Sequence, residues 1–152
     1  MRLWRITSQQ WALDRQCEGA RHYGGRWNPP GTSALYAATT VELCALEKFV
    51  HLGAVPVTNL VLVAIDLPAD SSLITSAPLT SLPLDWDALP APATTQTFGK
   101  QWLSESNSLA LLLPSAIVPE AQIALINPYH TAFKDLRMHI VRRFNFDGRL
   151  FG

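Results

Sequence analysis

Charge is scarce in this chain of 152 residues: Asp, Glu, Lys and Arg make up 16% of it, against about 25% in an average globular protein. The twelve basic residues cancel the twelve acidic ones, leaving a net charge of zero. Polyanions are bound chiefly by neutralising phosphates with Lys and Arg, so direct nucleic-acid binding is not expected. The one basic run, Lys134, Arg137, His139, Arg142, Arg143 and Arg149, reads first as a solvated face and second as a surface for an acidic groove of a protein partner. Cysteine is nearly missing too. Cys17 and Cys44 stand alone, and the four histidines are not spaced as ligands around them. No disulfide framework and no metal site is expected, and both thiols read as small buried hydrophobes. No apolar run approaches the ~18 residues of a membrane span, and Met1-Arg2-Leu3-Trp4-Arg5 lacks a signal-peptide core. No membrane association and a cytoplasmic location follow as expectations. There is no internal repeat and no glycine-rich dinucleotide fingerprint.

What the chain does have is length for one domain, residues 1–152, able to bury about 68–70% of its unfolded surface without a staple. Five tryptophans in a chain so short of charge suit an apolar surface covered by a partner. The densest local signal is Gly24-Gly25-Arg26-Trp27-Asn28-Pro29-Pro30-Gly31. Glycines let backbone approach a ligand and prolines stiffen the far side of the loop. An arginine held there is a planar, permanent cation suited to phosphate.

Periodicity organises the rest. Met1–Thr7 alternates as a strand. Ser8 to about Cys17 reads as a helix stopped by Gly19, and Ser33–Ala38 as a short strand. A second helix begins at a capping box of Thr39 and Glu42 and ends at Gly53. On its wheel, Val41, Leu43, Ala45, Leu46, Phe49, Val50 and Leu52 cover most of the circumference, and Glu47 lies at the edge of the polar sector, facing either solvent or a cleft. Leu60–Ile65 is a continuous apolar run, a central strand. Asp66–Ala93 carries Pro68, Pro78, Pro83, Pro90 and Pro92 and calls for helical turns near Leu84-Asp85-Trp86 or a mobile lid. A helix over Thr97 to about Ser104 follows. Strands follow at Leu109–Leu113, stopped by Pro114-Ser115, and at Ile123–Ile126, stopped by Asn127-Pro128. Met138–Val141 and Phe144–Phe146 read as strand, with a turn at Asp147-Gly148. The fold class is α+β, around a central, mostly antiparallel or mixed sheet.

Gly25-Arg26-Trp27-Asn28, Leu35-Tyr36-Ala37, Ala45-Leu46-Glu47 and Leu113-Pro114-Ser115-Ala116-Ile117-Val118-Pro119, in that order, resemble the RES-domain toxins of bacterial RES–Xre toxin–antitoxin pairs. Ile126-Asn127-Pro128-Tyr129-His130 and Phe146-Asp147-Gly148-Arg149-Leu150 are similar to the family's C-terminal half. The resemblance spans essentially the whole chain, and Asp66–Ala93 is the stretch without a matching motif. It implies a fold similar to ADP-ribosyltransferases and chemistry on NAD, which would be consumed as substrate with no further cofactor. It also implies an Xre-type DNA-binding antitoxin as partner, and it is compatible with a homodimer inside a larger toxin–antitoxin complex.

The residue types suit that chemistry. Breaking the nicotinamide–ribose bond builds positive charge on the ribose, which the Glu47 carboxylate would oppose. Arg26 would pair with the pyrophosphate, Tyr36 and Trp27 would offer aromatic faces to nicotinamide, and Ser115 would bond the amide or a ribose hydroxyl. Asn127 could line the same cleft. Each residue also has an ordinary reading: a surface arginine, a half-buried tyrosine, a solvated glutamate near His51, and turn residues at Ser115 and Asn127. Arg5 is an edge-strand arginine that could reach the site. Three functions stay open: NAD cleavage with water or phosphate as acceptor, ADP-ribose transfer to a host protein, and a non-enzymatic binding module.

Overall fold

The computed structural model describes residues 1–53, 57–105 and 107–152. Among them, β1 (Arg2–Ser8), β2 (Leu35–Ala38), β3 (Leu60–Asp66), β4 (Ile74–Ser76), β5 (Ala110–Pro114), β6 (Gln122–Ile126) and β7 (Arg137–Arg143) join into one sheet. Their order is β4-β5-β6-β2-β1-β3-β7. The helices are α1 (Glu18–Tyr23), α2 (Val41–Val50) and α3 (Ala93–Glu105). Every pairing is antiparallel except β4 with β5, so the expected α+β class holds, with a single mixed sheet among the described residues.

The apolar run of β3 lies between β1 and β7 and is buried on both faces, as its lack of alternation requires. Elsewhere alternation sorts side chains by face. Leu3, Leu35, Ala37, Val63, Ile65, Leu112, Ala124 and Ile126 share one continuous cluster. The opposite face is divided. Ile6, Ala38, Leu60 and Leu62 lie under Leu43 and Cys44 of α2, while Leu111, Leu113 and Leu125 lie under Trp27 and Leu103 of α3. Ile123 packs against both groups and marks the seam between them.

Several expected boundaries move, each for a local reason. The helix expected from Ser8 is only a 3-10 turn at Gln9–Trp11. The Asp14 carboxylate accepts from the N–H groups of Gln16 (2.8 Å) and Glu18 (2.9 Å), so the helix starts after it, and Gly19 lies inside α1. The capping residue of α2 is Thr40, whose hydroxyl accepts from Leu43 N–H at 3.1 Å. Thr39 instead donates to the Gln122 carbonyl at 2.9 Å, so no box with Glu42 forms. The helix closes at Val50, before Gly53, and His51 Nδ1 bonds the Glu47 carbonyl oxygen at 2.7 Å. Asp66–Ala93 breaks into short turns around β4, a strand with no counterpart in the sequence reading. Phe144–Phe146 lies outside the strands; its phenylalanines stack edge to face and reach Phe49 on α2. Arg5 stands on an inner strand, since β1 is flanked by β2 and β3.

Candidate active site

Two groups of polar residues meet the divided face of the sheet. The first joins α2 to the end of β5. Ser115 directly follows Pro114, the last residue of β5, and its side chain is fully buried. Its hydroxyl donates to Glu47 Oε1 at 2.7 Å. It also accepts from the N–H groups of Ile117 (3.1 Å) and Val118 (3.2 Å), which turns the chain back toward β6. A hydroxyl has one proton to give, and here it goes to the carboxylate. Glu47 is half-buried, and its Oε2 has no partner among the described residues. One oxygen is thus held and the other left available, on a helix anchored through Leu43 and Cys44.

The second group is built around Tyr36. Its hydroxyl donates to Asn28 Oδ1 at 2.6 Å and accepts from Trp27 N–H at 3.0 Å. Burial pushes the phenol well above its ordinary value, outweighing the Trp27 N–H and the nearby Arg26 charge, so it stays a neutral donor. Asn28 is fully buried and donates through Nδ2 to the carbonyls of Ala20 and Thr32, each at 2.8 Å. Gly25 is required here: a β-carbon would stand 2.8 Å from the Tyr36 hydroxyl oxygen. The half-buried Arg26 donates from Nη1 to the carbonyls of Trp86 (2.9 Å) and Ala88 (2.8 Å).

Tyr36 and Ser115 point to the same face of the sheet. The rows Tyr36–Leu125–Leu111 and Ala38–Ile123–Leu113 lead along the strands to Ser115, and the seam residue Ile123 lies between the two groups.

Two expectations are corrected. Trp27 is fully buried against Phe98 and Leu103, so it offers no face to a ligand; its indole N–H has no partner among the described residues. Asn127 belongs to the other end of the sheet. Ile126 pairs with Ala110, whereas Gln122 pairs with Pro114, which sets Asn127 roughly 20 Å from Ser115 along the strands at ~3.4 Å per residue. Its amide donates to the Leu103 carbonyl (3.0 Å) and accepts from Tyr129 N–H (3.0 Å), a turn role. Asn28 was overlooked as the hub of the Tyr36 group, although it stands in the most conspicuous loop of the sequence. The Trp86 and Ala88 carbonyls carried no sequence signal at all, because any residue supplies a carbonyl.

Elsewhere, a cavity of about 560 Å³ opens between Arg15, Ser33, Tyr129, His130 and Lys134, at the Asn127 end and away from Glu47. No cluster of three or more metal-binding side chains exists among the described residues, and no described helix is long and apolar enough to cross a membrane.

A family model described as "RES domain" matches residues 2–147. The "Prs ADP-ribosylating toxin" of Sphingobium sp. is 40% identical, with 97% of this chain and 94% of that protein covered. A "Toxin Res" from Yersinia enterocolitica is 37% identical over 99% of both chains, and one from Photorhabdus laumondii is 38% identical over 99% of this chain and 97% of that protein. Among solved structures, a chain of the M. tuberculosis MbcT–MbcA toxin–antitoxin complex aligns with a TM-score of 0.64 over 99% of this chain and 86% of its own length. At 20% identity, that likeness speaks for the fold alone.

Proposed function

Because the chain belongs to the RES-domain family, we propose that it is the toxin of a toxin–antitoxin pair. Its reaction is cleavage of NAD at the nicotinamide–ribose bond, with water or phosphate taking up the ADP-ribose. The observation that carries this reading is the Glu47 carboxylate, with Oε1 fixed by Ser115 and Oε2 without a partner among the described residues. As nicotinamide leaves with the bonding electron pair, the ribose becomes oxocarbenium-like. A carboxylate fixed beforehand opposes that charge without reorganising at the moment of reaction. Ser115 orients Glu47 in this scheme and does not contact the substrate amide. Arg26 reads the diphosphate, and the exposed part of the Tyr36 ring flanks the nicotinamide. NAD is consumed, and no further cofactor is invoked.

Transfer of ADP-ribose to a protein is the second reading, favoured by the name of the Sphingobium relative. Incubation of the purified protein with NAD alone separates the two. Release of nicotinamide at a steady rate supports cleavage; no release until a target protein is added supports transfer. If neither occurs, the enzymatic reading fails. The partner is a protein, an Xre-type DNA-binding antitoxin, in keeping with the complex in which the structural neighbour was solved.

A further inference from the structure

The Pro-rich segment between β4 and α3 has no motif of its own, yet it holds the only cation in the Tyr36 group. A guanidinium carries five N–H donors on a rigid fork. Arg26 spends both hydrogens of Nη1 on main-chain carbonyls, at 2.9 Å from Trp86 and 2.8 Å from Ala88. Nε and Nη2 have no partner among the described residues. That pair forms the side-on edge that grips two oxygens at once. The same chain uses it on Asp66 from Arg2 (2.7 and 3.0 Å) and on Asp147 from Arg149 (3.0 and 2.8 Å).

The choice of partner matters. A carboxylate on Arg26 would neutralise it and compete with an incoming anion, whereas carbonyls fix its orientation and leave its charge in place. The segment is itself firmly seated. The Trp86 ring packs against the cluster of Trp27 and Leu103, and turns close from Trp86 N–H to Pro83 and from Ala88 N–H to Asp85, each at 3.0 Å. The Thr94 hydroxyl at the start of α3 donates to Asp85 Oδ1 at 2.6 Å. From the other side, Gln96 donates to the Gly25 carbonyl at 3.1 Å, and Gly99 lies so close to the Trp27 carbonyl that a β-carbon would collide with it. By contrast, Leu84 and Leu89 at the tips are 103% and 85% exposed and hold nothing.

We infer that Trp86 and Ala88 form a positioning element of the substrate site: their carbonyls bind Arg26 Nη1 and thereby present its Nε–Nη2 edge to one phosphate of a diphosphate. This rests on the NAD reading, but its test does not need turnover. Binding of ADP-ribose, which carries the diphosphate, is compared with binding of adenosine, which does not, for the wild type, Trp86→Ala, Trp86→Phe and the tip control Leu84→Ser. Trp86→Ala is expected to weaken ADP-ribose binding about tenfold, the scale of a hydrogen bond to a charged group, with adenosine binding unchanged. Trp86→Phe, which keeps the packing, restores most of the loss, and Leu84→Ser has no effect. In turnover, the same Trp86→Ala loss falls on KM for NAD and not on kcat. Should Trp86→Ala not fold, Thr94→Val, which removes only the exposed clasp, carries the test with a loss of about threefold for ADP-ribose alone. Equal ADP-ribose affinity in the wild type and the loosened loop, equal losses for adenosine, or no ADP-ribose binding by the wild type overturns the inference. Retention of NAD cleavage by Glu47→Gln would instead overturn the catalytic reading and leave this comparison standing.

Discussion

Ser115 and Asn127 make an instructive pair. Each is a small polar residue at the end of a strand of the same hairpin, each adjoins a proline, and each is almost fully buried, at 0% and 2% exposure. Each also accepts backbone N–H from residues just beyond it, two at Ser115 and one at Asn127. They differ in where the remaining donor goes. Asn127 gives its amide to the Leu103 carbonyl and is spent on structure. Ser115 gives its proton to a carboxylate on a helix distant in sequence. Turn chemistry is shared by both, so it identifies neither as functional. A donor aimed at an ionisable group whose second oxygen has no partner among the described residues is what distinguishes the candidate-site end of the sheet from the structural end.

The strongest test of that difference is Glu47→Gln. The amide keeps shape and helix propensity but removes the charge, so NAD loss is expected to fall about 10²–10³-fold with an unchanged thermal transition. Activity within a few-fold of wild type in a folded variant would remove Glu47 from the chemistry. Ser115→Ala and Asn127→Ala then divide the two ends. Ser115→Ala should lower turnover about tenfold, the scale of one hydrogen bond to a charged group, because Glu47 is no longer oriented. Asn127→Ala leaves the Leu103 carbonyl and Tyr129 N–H unpaired and should cost about 1–3 kcal/mol of stability, with activity per folded molecule unchanged. Denaturant melts beside initial rates read both, and the comparison collapses if the two variants behave alike. Tyr36→Phe tests the second half of the site. It deprives Asn28 Oδ1 and Trp27 N–H of a buried partner, and a loss of about 1–2 kcal/mol is expected, with a smaller rise in KM for NAD as the Arg26 loop loosens.

How much of this was legible beforehand depends on what kind of contact carried it. The strands were readable because their apolar residues alternate or run together, and β3 in particular could lie nowhere but inside the sheet. Glu47 was placed at the seam of its helix by the wheel, and Ser115 at a strand end by its proline. That they touch could not be read, since 68 positions separate them. The burial of Trp27 was misjudged because its loop looks like surface; α3 closes over it through Gly99, a contact between remote segments. The start of α2 slipped by one residue because Glu42, three positions on, favoured Thr39 as the cap, whereas the Thr39 hydroxyl donates to the remote Gln122 carbonyl and Thr40 caps the helix instead. Asp66–Ala93 was opaque because its contribution is made by carbonyl oxygens.

The smallest expected effect concerns groups that touch neither end of the hairpin. Cys17 packs against the continuous face of the sheet, and Cys44, on α2, packs against the divided one. Burial pushes the Cys17 thiol up to about 11 and the Cys44 thiol to about 12, from an ordinary value of 9.0. Each folded-state value therefore lies above its unfolded one, and the unfolded chain loses these protons first. Between about pH 9 and 11 the native state binds more protons than the unfolded state, so stability must fall as pH rises, by at most ~1.4 kcal/mol per pH unit for each thiol. Below pH 8 both states keep the thiols protonated and the slope from them vanishes. Tyr36 acts in the same direction, so the thiols are isolated by a Cys17→Ala, Cys44→Ala double variant. Its melting temperature starts lower because buried packing is lost, but it should decline less steeply above pH 9 than that of the wild type. Parallel declines would mean that the thiols ionise as readily in the folded protein as in the unfolded one, and that burial does not hold them neutral.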